Sequence, residues 1–227
     1  MYIAYKYRIY QNKEQEKQIQ KTFGCCRFVY NKTLVYKQEQ YKQKNISLSR
    51  YDCRNYMVNT LKKENVWLKD VDKFALENSI FNMDFAYQKF FKEHTGYPKF
   101  KSKHNHYKSY ITNFSNGNIE VSFENNKIKL PKLKWVKSKV HREFVGKIKS
   151  ATISQVPSGK YFVSILVETE QVPMESTGCC IGFDLGIKDL LITSDGKKFD
   201  NIHTIKKYED KLAKEQRKLS HKVKGSK

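Results

Sequence analysis

Arginine is scarce in this sequence. Of its 44 basic residues only Arg8, Arg27, Arg50, Arg54, Arg142 and Arg217 are arginine; the rest are lysine. Bidentate reading of a base edge favours arginine, whereas lysine acts as a point charge on phosphate. The composition therefore argues against base-by-base readout by the protein and for contacts to backbone and shape. Cysteine is sparse and wrongly spaced for a metal finger: Cys25–Cys26 and Cys179–Cys180 are adjacent pairs, Cys53 stands alone, and no two are separated by two residues. That excludes a zinc finger of the usual spacing and a disulfide framework, and predicts reduced thiols in a cytoplasmic protein. No apolar run approaches the ~20 residues of a membrane span. The opening MYIAYKYRIY alternates and carries charge from Lys6 onward, unlike a secretory leader. Acidic residues are also few, 23 against 44 basic, leaving a net charge of +21. Such an excess opposes compaction unless an anionic partner offsets it, and a nucleic acid is the usual one; a merely soluble basic surface is the plainer alternative.

What is present divides along the chain. Met1–Tyr10 alternates as a strand, with Ile3, Tyr5, Tyr7 and Ile9 on one face. QNKEQEKQIQKTFG predicts a helix closed by Gly24, and CCRFVYNKTLVYKQEQY a second, so that residues 11–43 take either a helix-turn-helix shape or a plain helical hairpin. Ser47 or Ser49 suits the cap of a further helix through Tyr56, Met57 and Leu61. Leu76, Ile80, Met83, Tyr87 and Phe90 then form one helical stripe, a core face. From Tyr97 to Tyr110 four lysines and two histidines interleave with aromatics and no acid; Lys99, Lys101, Lys103 and Tyr107 are candidates for phosphate and base contacts. The alternative is a solvated linker with its rings tucked against a neighbouring domain. Short strands separated by SNGN, ENNK and VPSGK turns run from Tyr107 to Glu168 and predict a small antiparallel barrel. One side of it is basic through Lys132, Lys134, Lys137, Lys139 and Arg142, with Trp135 among them.

TEQVPMESTG reads as a linker, after which CCIGFDLGIKDLLITSDG sets Asp184 in an alternating apolar run closed by a Ser-Asp-Gly turn. A carboxylate buried between Ile181, Phe183 and Leu185 requires a cation or a metal ion. The later acids, Asp189, Asp195, Asp200, Glu209, Asp210 and Glu215, lie in turns or among lysines. The last stretch is again basic, with Arg217, Lys218 and Lys222 on a weakly amphipathic helix.

FGCCRFVYN, YPKFKSK, IKLPKLKWVKSKVHR, SGKYFVSI, IGFDLGIKDLLITSDG and QRKLSHKVKGSK, in this order and across the whole sequence, resemble the OrfB/TnpB family encoded by insertion sequences, relatives of the type V CRISPR effector nucleases. Lys134 stands where that family often has glycine. The resemblance implies an α+β fold: a first barrel strand (1–10), a helical recognition region (11–94) inserted in a small wedge-like antiparallel β-barrel completed by 95–172, then the first β-hairpin and helix of an RNase H/RuvC-like domain (173–227). It implies a metal-dependent DNA endonuclease working with a guide RNA and a target DNA, in which pairing reads most of the sequence, located with the prokaryotic nucleoid. Asp184 corresponds to the first catalytic carboxylate, a ligand of Mg²⁺ or another divalent ion. Two such ions need carboxylates from more than one segment; the family's other two, and its zinc ribbon, have no counterpart among these residues. The expectation is thus the N-terminal part of a nuclease, truncated within the RuvC-like domain and not cleaving on its own. The alternatives are a nuclease-deficient RNA- or DNA-binding regulator and a helix-turn-helix DNA-binding factor.

Overall fold

The computed structural model describes residues 1–170, 178–223 and 225. The chain forms two compact units, Met1–Gln171 and Val172–Lys227. The boundary expected at 172/173, and most of the expected linker, lie outside the described residues.

In the first unit, strand β1 (Tyr2–Tyr10) alternates as its sequence dictates: Tyr7 and Ile9 are buried, while Lys6 and Tyr10 are exposed. Helix α1 (Lys13–Lys44) begins with a capping box, in which the Asn12 carboxamide accepts from the Gln15 backbone N–H and the Gln15 side chain returns the bond. The same Gln15 donates from Nε2 to the backbone oxygens of Leu133 and Trp135, each at 3.0 Å, and so fixes the helix start to the sheet. α1 is one helix of 32 residues, not the two expected with a break at Gly24. Phe23, Cys25 and Cys26 around that glycine are all buried, and their packing outweighs the ~1 kcal/mol that glycine costs a helix interior. A Cβ at Gly24 would meet nothing within 4 Å. Gly24→Ala is therefore expected to stabilise the chain by about 0.5–1 kcal/mol in urea unfolding. A turn at this position would give the opposite sign.

Ser49 caps α2 (Arg50–Tyr56), which continues through a π-helical turn (Met57–Leu61) into α3 (Lys62–Glu64). Cys53, Met57 and Leu61 form its buried edge. α4 (Lys73–Glu93) is capped by Asp72 and buries Leu76, Ile80, Met83 and Tyr87, the greater part of the expected stripe. Burial pushes the Cys25 and Cys53 thiols up to about 11 and raises Cys26 as well. Buried, protonated thiols of this kind are inert.

Six further strands join β1: β2 (Lys108–Asn113), β3 (Glu120–Ser122), β4 (Lys127–Leu130), β5 (Lys134–Lys139), β6 (Lys147–Gln155) and β7 (Tyr161–Glu168). Their order is β2-β6-β7-β1-β5-β4-β3, every pair antiparallel. Tyr161, Val163, Ile165 and Val167 alternate inward on β7; with Ala151 and Ile153 of β6 they share one core with Ile19, Phe23 and Leu34 of α1. The Phe23 ring meets Tyr110 of β2 edge-on at 5.6 Å. The expected barrel is here an open sheet, with β2 and β3 at its edges. At the β2 edge Asn78 of α4 donates to the Ile111 carbonyl at 3.1 Å, so a helix side chain takes a position a closing strand would need. At the other edge β3 has only three residues.

The second unit holds a three-stranded antiparallel sheet, β10-β9-β8, from β8 (Phe183–Asp184), β9 (Asp189–Thr193) and β10 (Lys198–Asp200), followed by α5 (Thr204–Ser220). No described residue of α5 is buried.

Candidate nucleic-acid interface

The pleat that sends Tyr7 and Ile9 inward sends Lys6, Arg8 and Tyr10 to the opposite face of β1. Register extends that face across the sheet. Arg8 stands opposite Lys139 of β5 on one side and Phe162 of β7 on the other, Phe162 opposite Ser154 of β6, and Tyr10 opposite Lys137, itself opposite Lys127 of β4. Trp135 lies opposite Lys129, whose ammonium pairs with Glu120 of β3 at 2.7 Å. Within this face Lys6 Nζ is 4.9 Å from the Phe162 ring centre, and the Arg8 guanidinium lies 5.3 Å from Phe162 and 5.4 Å from Tyr10. Arg8 Nη1 is buried without a hydrogen-bond partner among the described residues.

Like charges directly opposite one another destabilise a sheet. Arg8 against Lys139 and Lys127 against Lys137 are two such pairs. Among the described residues Arg8, Lys127, Lys137 and Lys139 form no ion pair, and flat rings beside such cations suit a single strand of nucleic acid, which offers phosphates for the cations and base faces for the rings. Of the residues proposed from sequence, the fold brings Trp135, Lys137 and Lys139 together here. Lys6, Arg8, Tyr10 and Phe162 were missed. The signal was available, because the polar residues of YIAYKYRIY fall on the phase opposite its apolar ones.

Lys132 lies in the β4–β5 turn and Lys134 opens β5, with φ of +64° and +56°. The left-handed backbone at Lys134 accounts for the glycine usual there in the family it resembles, since a side chain costs roughly 1–2 kcal/mol in that conformation. Arg142 lies elsewhere: its guanidinium is 5.4 Å from the Tyr5 ring, and its carbonyl accepts from the Tyr7 hydroxyl at 2.6 Å, on the inward side of β1. The Lys99–Tyr107 stretch has no helix or strand and is held against α1. The Asn31 carboxamide donates to the Lys101 carbonyl at 3.0 Å and accepts from the Lys101 N–H at 2.8 Å. Lys101 Nζ is 4.3 Å from the Tyr30 ring, where desolvation lowers its pKa. With Arg27 and Lys108 it borders a cleft of about 270 Å³ whose lining contains no acid. Lys99, Lys103 and Tyr107 are exposed.

In the second unit Arg217 and Lys218 sit in the last turn of α5, and Lys218 pairs with Glu215 at 2.8 Å. Lys222 follows the helix and is exposed. Asp184 is not buried as its pattern predicted. Only Phe183–Asp184 pairs as a strand, Asp184 lies opposite Ile192, and Ile181, Phe183, Leu185 and Ile187 are all exposed. Alternation marks the intended face of a strand, but burial needs a layer to cover it, and α5 contributes no buried residue. Asp189 stands opposite Asp200, and Asp195 pairs with Lys197 at 3.0 Å. Among the described residues no three His, Cys, Asp or Glu side chains come together as a metal site. A two-metal centre does not fit the residues around Asp184.

Residues 1–45 match the family model HTH_OrfB_IS605, described as a helix-turn-helix domain. Two proteins named "Putative RNA-guided DNA endonuclease" align over nearly the whole chain. InsQ of Escherichia coli (strain K12) is 31% identical over 225 residues, covering 98% of this chain and 55% of InsQ. The second, from Streptomyces pristinaespiralis, is 28% identical over 230 residues, 98% of this chain and 56% of the relative. The chain belongs to the OrfB/TnpB family. It spans about half the length of these curated relatives. A solved Cas12f1–sgRNA–target DNA complex aligns with 97% of the chain and 62% of its own, at 10% identity and a TM-score of 0.42. In this OrfB/TnpB chain the residues matched by the helix-turn-helix model hold β1 and the single helix α1. Among the described residues no helix is long and apolar enough to cross a membrane.

Proposed function

We propose that this chain is the nucleic-acid-binding, N-terminal part of a transposon-encoded RNA-guided DNA endonuclease, and that its first unit holds the guide RNA on the outer face of the seven-stranded sheet. The observation that carries this reading is the cross-strand row of Lys139, Arg8 and Phe162 with Lys137 and Tyr10 beside it: cations and rings without a carboxylate among them. In this reading the open sheet and its inserted helices take the place of the wedge-like barrel and recognition region. The second unit takes that of the opening hairpin and helix of the RuvC-like domain. Target DNA is read by pairing to the guide, which suits a lysine-rich surface built for phosphate.

Asp184 supplies the first carboxylate of the family motif, and among the described residues no three His, Cys, Asp or Glu side chains gather there as a metal site. Alone, therefore, the chain binds and does not cut. The test compares RNA transcribed from the DNA flanking the coding sequence with a scrambled RNA of equal length, then adds magnesium and guide-matched DNA. Tighter, salt-sensitive binding of the flank-derived RNA without cleavage is expected. Equal affinity for both RNAs would remove the guide, and magnesium-dependent cutting abolished by Asp184→Ala would overturn the non-cleaving assignment.

A further inference from the structure

Near the C-terminal ends of α1 and α4, the two helices and Tyr97 border a cavity of about 650 Å³, within the range of small-molecule sites. Its walls are aromatic: Tyr41, Tyr87, Phe90, Phe91 and Tyr97. Tyr97 meets Tyr87 and Phe90 edge-on at 5.5 and 5.2 Å, while Phe91 stacks along Tyr87 at 6.4 Å. A few polar groups converge on the same space. The Tyr87 and Tyr97 hydroxyls share a 2.9 Å hydrogen bond, and Gln38 Nε2 reaches the Tyr97 oxygen at 3.4 Å.

Two features separate this cavity from an ordinary end of the core. Tyr41 is 59% exposed and Phe91 68% exposed, so neither ring is consumed by packing. The lining contains lysine but no acid. Lys37 is occupied, pairing with Asp84 at 3.4 Å and donating to the Leu48 carbonyl at 2.6 Å. Lys42 forms no ion pair among the described residues. Apolar faces, a few hydrogen-bonding groups and a lysine left unpaired among the described residues match a planar heterocycle attached to a phosphate.

We propose that this cavity receives an unpaired nucleobase of the bound nucleic acid, stacked on Phe91 and Tyr41 with the adjoining phosphate on Lys42. The assignment rests on the nucleic-acid reading above and adds a second contact region, on the helices. A base–aromatic stack tolerates any base, because every base has a π face. The site therefore holds the strand without reading its sequence.

The test uses a single-stranded heptanucleotide with 2-aminopurine at every second position, whose fluorescence falls when the base stacks. Wild-type protein should bind and quench it. Tyr41→Ala with Phe91→Ala should weaken binding by roughly ten-fold or more and abolish the quench, with an unchanged circular dichroism spectrum because both rings are exposed. Phe91→Trp should retain the quench. Lys137→Gln with Lys139→Gln should weaken binding while leaving the quench at saturation intact. Unchanged affinity and quench in the double alanine variant would overturn the base site and leave nucleic-acid binding standing, and the cavity would then be a surface for a protein segment. Failure of wild-type protein to bind the probe would overturn both.

Discussion

Replacing Lys6, Lys137 and Lys139 together with glutamine is expected to weaken binding of a mixed-sequence single-stranded RNA by roughly 50-fold at 0.15 M salt, and to make the log–log salt dependence shallower by about 2. The reasoning follows from counterion release: each phosphate neutralised on a single strand contributes about 0.7 to the slope, so three lost contacts remove about 2. Register places Lys137 and Lys139 next to Tyr10 and Arg8, and Lys6 lies against Phe162. None of the three takes part in an ion pair among the described residues, so glutamine removes charge without stranding a carboxylate. Stability should hold or rise slightly, because the facing pair Lys127 and Lys137 loses its repulsion. Titration at four or more salt concentrations checks both numbers. A parallel displacement with an unchanged slope would mean that these lysines shape the sheet and touch no phosphate.

Much of this architecture was legible because it rests on local chemistry. YIAYKYRIY alternates and YFVSILVE is dense in β-branched and aromatic residues, and they became two adjacent central strands, β1 and β7. The α4 stripe from Leu76 to Tyr87 became core, as its spacing required. Three features were not legible, each for a reason outside its own segment. Gly24 has the chemistry of a helix stop, but buried neighbours on both sides carry α1 through it. β5 shows in the sequence only as a basic stretch, since its two inward positions are Val136 and Ser138; the second is satisfied by donating to the Asn126 carbonyl rather than by apolar contact. Asp184 carries the alternation of a buried strand, yet burial depends on a partner layer that no local pattern supplies. The interface was half legible for a related reason. Lysines cluster visibly between residues 132 and 139, while Lys6, Arg8 and Phe162 join them only through pairing between strands some 130 to 155 positions apart in sequence.

That pairing predicts a separation of stability from binding between two consecutive residues of β1. Ile9 is fully buried in the core, while Arg8 points to the opposite face between Tyr10 and Phe162. Ile9→Ala removes buried methyl groups and leaves a cavity between sheet and helices, at an expected cost of about 2–5 kcal/mol in unfolding free energy. RNA affinity, measured well below the unfolding transition, should remain within about two-fold of wild type, an allowance of under ~0.5 kcal/mol. Arg8→Gln should do the reverse. The guanidinium has one buried nitrogen without a partner among the described residues, so its removal gives up little native hydrogen bonding and relieves the repulsion with Lys139. Folding stability should change by less than about 1 kcal/mol, while RNA binding weakens about ten-fold through loss of both a phosphate contact and a cation held against two rings. Urea denaturation and fluorescence anisotropy on the two variants decide the matter. If Arg8→Gln destabilises the chain as much as Ile9→Ala does while leaving affinity unchanged, Arg8 belongs to the architecture and the outer face of the sheet is not where the nucleic acid lies.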